Sequence, residues 1–180
     1  MSIHKDLASI SYSAEFIANR VAELGRELKE EYADKNPIFI GTLKGAFIFL
    51  ADLVRACEFP LQVQFLKASS YGLAAVTSGT VDISDVLDAD VEGRHLIIVE
   101  DIIDTGVTMS KLREVLMARN PASLKFCAFL DKVERRTADI QVNYVGTVCA
   151  DEFFVGYGLD YAERYRNMPD IGVLKREIYE

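Results

Sequence analysis

The sequence predicts an α/β fold: a mostly parallel central sheet, helices on its flanks, and a small hood or lid region. Short apolar runs typical of buried strands alternate along the chain with amphipathic segments of helical spacing. Such alternation favours a parallel sheet covered by helices on both faces. The chain has 180 residues, 50% of them hydrophobic, which is enough for one domain with a substantial core. We therefore expect residues 1–180 to form a single domain.

The first expected element is an amphipathic helix over residues 13–31. Ser13 is a candidate N-cap, because its hydroxyl can accept a hydrogen bond from the first helical turn. The apolar side chains expected on one face of this helix are Phe16, Ile17, Val21, Leu24 and Leu28. Asn36 and Pro37 then mark a turn into the first buried strand.

Strands and helices follow one another after this turn. Strands are expected at residues 38–40, 61–65, 96–99, 124–130 and 143–149, and helices at residues 47–57 and 109–118. The segment of about residues 69–82, rich in Ser, Gly, Thr and Ala, interrupts the pattern and predicts a flexible lid loop. A C-terminal segment at about residues 151–170 is expected to cap the carboxyl edge of the sheet.

Composition and charge exclude several classes of function. The net charge of −8 argues against general nucleic-acid binding, which needs a positive field over the phosphates. The longest apolar stretch, residues 46–54, is interrupted by Asp52 and is too short to span a bilayer. The N-terminus lacks the apolar region of a signal peptide. We therefore expect a cytoplasmic protein without a membrane partner.

The cysteines and histidines give no sign of a metal centre or a nucleophile. Cys57, Cys127 and Cys149 have no metal-like spacing, and His4 and His95 are far apart in the sequence. The last two cysteines lie in apolar, strand-like runs, so we expect them to be buried thiols.

The strongest chemical pattern follows the apolar run at residues 96–99. This run leads directly into Glu100 and Asp101, and a third carboxylate, Asp104, comes three residues later. The next residues are Thr105, Gly106, Val107 and Thr108. Hydroxyls and free N–H groups at the start of a helix suit a phosphate monoester. The pattern therefore predicts a ligand site at the carboxyl end of a buried strand, where open α/β sheets bind their ligands.

The three carboxylates indicate different tasks. Glu100 and Asp101 point in different directions if the strand pleat persists, so together they could contact two neighbouring hydroxyls of a sugar. Carboxylates also attract Mg²⁺, which commonly accompanies substrate phosphates. Asp104 is free to accept or donate a proton nearby. The residues alone leave open a second interpretation, a solvated acidic loop with no function.

Residues 99–109 resemble the phosphoribosyl-pyrophosphate motif of the type I phosphoribosyltransferases, and most of all that of the hypoxanthine-guanine branch. Four further stretches resemble that branch in the family's order, from about Gly41 to Arg166. They are residues 43–46 (pyrophosphate loop), 69–72 (lid), 131–132 (purine-recognition lysine), and 153–161 with Arg166 (purine and metal segment). The resemblance implies the type I phosphoribosyltransferase fold.

On the phosphate side, the resemblance implies a binding role for each matching residue. Lys44, Gly45 and Arg166 would bind the pyrophosphate, and an unusual cis peptide would join positions 43 and 44. Ser70 and Tyr71 would belong to a lid that excludes water from the site. The residues implied to hold the phosphoribosyl group are Glu100, Asp101, Thr105, Gly106, Val107 and Thr108.

On the base side, the resemblance implies a purine pocket beside a metal. Lys132 would donate to an exocyclic oxygen of the base, Phe153 would stack on it, and Phe154 would supply a backbone contact. Asp104 would handle the proton at the five-membered ring. The Mg²⁺ ligands implied are Glu100, Asp101 and Asp160.

Together these features predict a Mg²⁺-dependent enzyme of purine salvage. It would transfer a 5-phosphoribosyl group from phosphoribosyl pyrophosphate to hypoxanthine, and also to guanine, and release pyrophosphate. We expect a homodimer or homotetramer whose partners are these small molecules. The alternatives are a xanthine- or adenine-preferring transferase and a non-catalytic regulator that senses phosphoribosyl pyrophosphate and binds RNA. Lys132 favours a 6-oxo base over adenine, whereas Phe154, bulkier than the expected valine, leaves the order of preference open. Val107 replaces a lysine of some members.

Overall fold

The computed structural model describes residues 3–67, 87 and 89–180 of the chain. The strands in these ranges are β1 (Leu7–Tyr12), β2 (Ile38–Leu43), β3 (Gln62–Lys67), β4 (His95–Ile103), β5 (Ser123–Asp131), β6 (Tyr144–Val148), β7 (Phe154–Val155) and β8 (Ile171–Leu174). The helices there are α1 (Ala14–Tyr32), α2 (Phe47–Ala56), α3 (Val107–Met117) and α4 (Arg176–Tyr179). Short 3-10 turns lie at Ile3–Asp6 and Val133–Arg135.

The central sheet has five parallel strands in the order β3-β2-β4-β5-β6. Gly41 of β2 pairs with Val99 of β4, which in turn pairs with Cys127 of β5. The carboxyl ends of these three neighbouring strands therefore lie along one edge of the sheet, and the loops that follow them converge there. The expected fold class is confirmed.

Alternate residues of β4 pack into two different cores. Ile97 and Val99 lie in the core that the sheet forms with α1 and α2. Leu96 and Ile98 lie in the opposite core, together with Leu112 of α3. Because the central strand is buried on both faces, its sequence is continuously apolar, as parallel strands usually are.

Helix α1 begins almost where the sequence predicts, after Ser13, whose Oγ accepts a hydrogen bond from Phe16 N–H at 3.2 Å. The buried side chains of its apolar face include Ile17, Val21, Leu24 and Leu28. The prediction for Phe16 is wrong, since this side chain is 41% exposed at the margin of that face and contacts Tyr12. None of the described helices combines the length and the apolar character needed to cross a membrane.

A second, antiparallel sheet in the order β1-β8-β7 forms part of the small region expected beside the main sheet. Leu7 of the first strand pairs with Leu174 of the last, and Phe154 pairs with Val173. β7 has only two residues and so offers no alternation to recognise, and the sequence analysis identified neither β1 nor β8. The sheet holds the C-terminal segment next to the carboxyl edge of the central sheet.

The three cysteine thiols are buried and free, as expected for Cys127 and Cys149. Burial raises the pKa of the Cys57 thiol to about 12 and that of the Cys149 thiol to about 11. At neutral pH these groups are therefore protonated thiols, which are poor nucleophiles.

Candidate active site

The end of β4 carries two carboxylates on opposite faces of the sheet. The strand continues to Ile103, beyond its predicted end, so Glu100 and Asp101 alternate as strand residues do. Glu100 lines a cavity of about 230 Å³ formed with the following loop. Asp101 faces the loop after β2, where a Cβ on Gly45 would overlap its carboxylate. The prediction that the two side chains point in different directions is confirmed.

Burial changes the titration of both carboxylates. It raises the pKa of Glu100 well above its usual value, and the charge of Asp101 raises it further. Burial also raises the pKa of Asp101 to about 6, although Ile102 N–H donates to its Oδ1 at 2.9 Å and opposes the shift. Glu100 Oε2 is buried without a hydrogen-bond partner among the described residues. Such carboxylates gain most from a cation or from hydroxyl donors of a ligand.

The loop after β4 leads directly into a helix N-terminus, as the predicted phosphate site requires. Gly106 has a φ of 79° and is the N-cap of α3, which begins at Val107, two residues earlier than predicted. Thr105 O accepts a hydrogen bond from Thr137 N–H at 3.0 Å, which fixes the loop. Thr108 lines the same cavity as Glu100. The N-terminus of an 11-residue helix thus opens next to a carboxylate-lined space, and its dipole favours an anion there.

The loop after β2 contacts the C-terminal segment directly. The peptide bond Leu43-Lys44 is cis, as the resemblance implies. Lys44 Nζ lies 3.1 Å from a carboxylate oxygen of Glu163, and both side chains are exposed. Gly158 has a φ of 101°, and a Cβ at this position would overlap the carbonyl oxygen of Gly45. A glycine is therefore required where the two segments touch.

Arg166 joins the same group of residues. Its Nη2 lies 2.7 Å from Asp160 Oδ1, and its Nη1 donates to Gly158 O at 2.8 Å. Asp160 Oδ2 also accepts a hydrogen bond from Glu163 N–H at 2.8 Å. The structure thus brings Lys44, Arg166 and Asp160 to one side of the site, as the resemblance implies.

The fit of these carboxylates to Mg²⁺ depends on how many of them converge. Among the described residues, no three acidic, histidine or cysteine side chains are close enough together to hold a metal alone. Asp160 is paired with Arg166, whereas Glu100 keeps a buried oxygen without a partner. Mg²⁺ in enzymes is commonly held by one or two carboxylates, water and substrate phosphates. The donors therefore fit a metal that arrives with an anionic substrate.

A larger cavity, of about 480 Å³, lies on the other side of Asp104. Its lining includes Ile102, Asp104, Lys132, Arg135, Asp151, Phe153, Phe154, Leu159, Asp160 and Tyr179. Ile102 and Asp104 line both this cavity and the smaller one that Glu100 lines, so the two spaces adjoin. A volume of this size, lined by aromatic and aliphatic side chains as well as charged ones, suits a flat heterocycle that carries polar groups.

Several charged groups of this cavity are paired. Lys132 is only 8% exposed, and its Nζ lies 3.1 Å from Asp151 Oδ1. Arg135 contacts both Asp151, at 3.1 Å, and Asp104, at 2.8 Å; the second contact lacks hydrogen-bond geometry. The nearby cations lower the pKa of Asp151. Lys132 Nζ is also 6.0 Å from the centre of the Phe154 ring.

The phosphoribosyl transferase domain family matches residues 12–162 of this chain. The chain belongs to this family.

Several relatives of this chain are named as hypoxanthine or hypoxanthine-guanine phosphoribosyltransferases. The hypoxanthine-guanine phosphoribosyltransferase of Bacillus subtilis is 50% identical over 175 residues, which is 97% of each chain. The hypoxanthine phosphoribosyltransferase of Salmonella typhimurium is 49% identical over 158 residues, 87% of this chain and 89% of that protein. The bifunctional protein TilS/HprT of Listeria monocytogenes is 47% identical over 99% of this chain, which spans only 28% of its length.

Solved structures agree with the fold. A hypoxanthine phosphoribosyltransferase of Staphylococcus aureus has a TM-score of 0.91 at 41% identity, covering 99% of this chain and 97% of that one. A hypoxanthine-guanine-xanthine phosphoribosyltransferase has a TM-score of 0.86 at 39% identity, covering 98% and 99%. These comparisons favour neither a xanthine-preferring enzyme nor an RNA-binding regulator.

The candidate site contains residues that the sequence did not indicate. Arg135, Asp151 and Glu163 pair with predicted site residues, and Tyr179 lines the larger cavity. Nothing in the sequence near these residues marks them, because their partners come together only in the fold. The predicted lid residues, Ser70 and Tyr71, lie outside the described residues, so their role stays a prediction.

The contact between Gly45 and Asp101 gives a first testable expectation. In Gly45→Ala the new Cβ displaces the Asp101 carboxylate, so kcat/KM for phosphoribosyl pyrophosphate should fall by about 10²-fold, a typical cost of misplacing a binding group. Gly93→Ala is the control, since Gly93 has a φ of 66° but nothing within 4 Å of its would-be Cβ. It should cost about 1–2 kcal/mol of stability and leave kcat/KM unchanged; equal kinetics in both variants would contradict the assignment.

Proposed function

We propose that this chain, as one domain, is a purine-salvage phosphoribosyltransferase. It transfers the 5-phosphoribosyl group of phosphoribosyl pyrophosphate to hypoxanthine, and to guanine, releasing pyrophosphate. The observation that carries the proposal is the pair of adjoining cavities that share Ile102 and Asp104. One cavity opens at a helix N-terminus suited to a phosphate, and the other holds a buried lysine suited to a 6-oxopurine. The names of the relatives support the same activity.

The donor is bound from three sides. The loop of residues 105–108 holds its 5′-phosphate through backbone N–H groups and threonine hydroxyls. Glu100 and Asp101, on opposite faces of β4, accept hydrogen bonds from the two ribose hydroxyls. Lys44 and Arg166 hold the pyrophosphate, and this requires them to exchange their present carboxylate partners for phosphate oxygens.

The acceptor base enters the larger cavity next to the ribose. Lys132 donates to the exocyclic oxygen of the base, Phe153 stacks on its plane, and the backbone at Phe154 contacts its edge. The new bond joins a nitrogen of the five-membered ring to the anomeric carbon of the ribose, and the bond from that carbon to pyrophosphate breaks. Asp104 takes the proton that the ring nitrogen loses. Charge stabilisation and positioning account for the rest of the rate.

Mg²⁺ fits the carboxylates of Glu100 and Asp101, with Asp160 close to the pyrophosphate. When bound, it neutralises part of the negative charge of the donor. This matters for a chain with a net charge of −8, because the protein and its substrate otherwise repel each other. The two carboxylates position the ribose from either side of the strand.

The proposal includes a homodimer or homotetramer in the cytoplasm. Strand β3, which lies at the end of the strand order among the described residues, supports association, because Val63 and Phe65 are 37% and 48% exposed there. Sedimentation at several protein concentrations measures the assembly, and a monomer at all of them would contradict it.

A parallel assay of nucleotide formation tests the function. Hypoxanthine, guanine, xanthine and adenine are each supplied with phosphoribosyl pyrophosphate and Mg²⁺. We expect hypoxanthine and guanine each to give nucleotide, with one pyrophosphate released for each nucleotide formed. If neither base gives product, the proposed function is refuted. If xanthine is clearly preferred, the proposed substrate is wrong and xanthine takes its place.

Asp104→Asn separates proton transfer from binding. The amide keeps the shape of the carboxylate but is no longer a base, so kcat should fall by roughly 10²-fold or less. The Kd for phosphoribosyl pyrophosphate should stay within about twofold, since the donor is held elsewhere. Asp34→Asn serves as the control, because Asp34 is an exposed residue that follows α1. An unchanged kcat in Asp104→Asn would show that this carboxylate is not the base.

A further inference from the structure

The C-terminal helix α4 brings an aromatic ring against the base cavity. The rings of Phe153 and Tyr179 are stacked, with centroids 4.7 Å apart and planes 22° from parallel. Tyr161 meets the Phe153 ring edge-on at 5.6 Å. Phe153 and Tyr179 both line the larger cavity. A stacked pair at this distance leaves no space for a third ring between them.

The position of Tyr179 is fixed by the chain around it. Leu174 N–H donates to Phe153 O at 2.9 Å, so the end of β8, just before the helix, is tied to the stacking residue itself. Lys175 N–H donates to Asp6 O at 3.0 Å, which anchors the start of the helix to the N-terminal segment. Ile178, on the same short helix, packs into the small apolar cluster under this region. Tyr179 is therefore held against Phe153 from two directions.

We propose that Tyr179 is a positioning residue for the acceptor base. It stacks on the face of Phe153 that the base does not use, and so supports the ring on which the base stacks. A ring has two faces, and Tyr179 occupies one of them, so a purine can stack only on the other. Base, Phe153 and Tyr179 then form a three-layer stack, in which the tyrosine limits rotation of the phenylalanine ring before the base arrives. Preorganisation of this kind lowers the cost of binding. The inference rests on the proposed base cavity.

Removing the ring should weaken base binding alone. Tyr179→Ala should raise KM for hypoxanthine, and Kd for the product nucleotide, by about two- to tenfold, the range that an aromatic pair contributes. KM for phosphoribosyl pyrophosphate and kcat should not change, because α4 lies outside the phosphate cavity. Tyr179→Phe keeps the ring and should restore the normal values. Steady-state kinetics and calorimetric titration with the nucleotide measure these quantities.

Matched variants separate this role from a structural one. Leu28→Ala, which removes packing from the buried face of α1 and leaves α4 intact, should lower Tm without changing KM for the base. In a Phe153→Leu background, Tyr179→Ala should have little further effect, since the tyrosine acts through Phe153. If Tyr179→Ala leaves base KM unchanged or lowers it, or raises both KM values equally, the inference is overturned. If Phe153→Leu leaves base KM unchanged, the base cavity itself is wrongly assigned.

Discussion

Replacing Lys132 with alanine is expected to remove most of the preference for hypoxanthine over adenine. A 6-oxopurine presents an acceptor where adenine presents an amino donor, and a lysine amine has only donors. A site built around a specific hydrogen bond rejects the wrong partner strongly, so the unmodified protein should favour hypoxanthine by about 10²-fold or more in kcat/KM. KM for phosphoribosyl pyrophosphate should barely change. Parallel kinetics with the two bases measure the margin.

The surroundings of Lys132 make this substitution informative. Asp151 keeps Arg135 as a partner at 3.1 Å, so the loss of Lys132 does not leave a lone carboxylate in the cavity. Lys132→Met keeps an apolar stem beside the Phe154 ring and removes only the donors, so it should lose the same margin. Lys125→Ala removes a lysine of β5, the strand that precedes Lys132, and should keep the full preference because Lys125 is paired with Glu31. Efficient use of adenine by the unmodified protein would refute the role of Lys132.

Removing divalent metal is expected to abolish turnover. Glu100 and Asp101 place two buried carboxylates next to each other in the chain at the end of β4, and a diphosphate substrate adds further negative charge. Without a cation the donor cannot bind productively, so activity in excess EDTA should fall by about 10³-fold or more, in keeping with several kcal/mol of charge stabilisation. Added Mg²⁺ should restore it. Full turnover in EDTA would contradict the proposed metal requirement.

A graded test of the same site uses Asp101→Asn. The amide removes one negative charge, so the Mg²⁺ concentration that gives half-maximal activity should rise by about tenfold or more, equivalent to about 1.4 kcal/mol. Asp34→Asn removes the same charge from an exposed position far along the chain and should leave this concentration unchanged. An equal response in the two variants would mean that net charge, and not position 101, determines the effect.

The sequence predicted the central sheet well because its strands are contiguous and apolar. The run at residues 96–99 identifies the buried β4, and the acids that follow it lie at the sheet edge without help from distant residues. Strands β1, β7 and β8 left no such signal. Their pairing joins Leu7 to Leu174 and Phe154 to Val173, and a strand of two residues has no period to detect.

The candidate site likewise contains some residues that the sequence predicted and others that it did not. Glu100, Asp101 and Thr105 are neighbours in sequence, and a strand followed by a helix places them together. Arg135 and Asp151 are 16 residues apart and pair only because β5 and the C-terminal segment meet beside the cavity. Charge pairs of this kind depend on tertiary geometry that no local pattern records.

The pairing of β1 with β8 has a consequence for the order of folding. Leu7 and Leu174 come from opposite ends of the described residues, so the small sheet forms only after one of the longest chain closures in this part of the fold. Phe153 and Tyr179 depend on the same region, because Leu174 N–H donates to Phe153 O and the two rings stack on each other. The connections from β2 to β3 and from β4 to β5 are much shorter. The proposed donor half of the site can therefore assemble early, through contacts between nearby segments, whereas the proposed acceptor half is completed late.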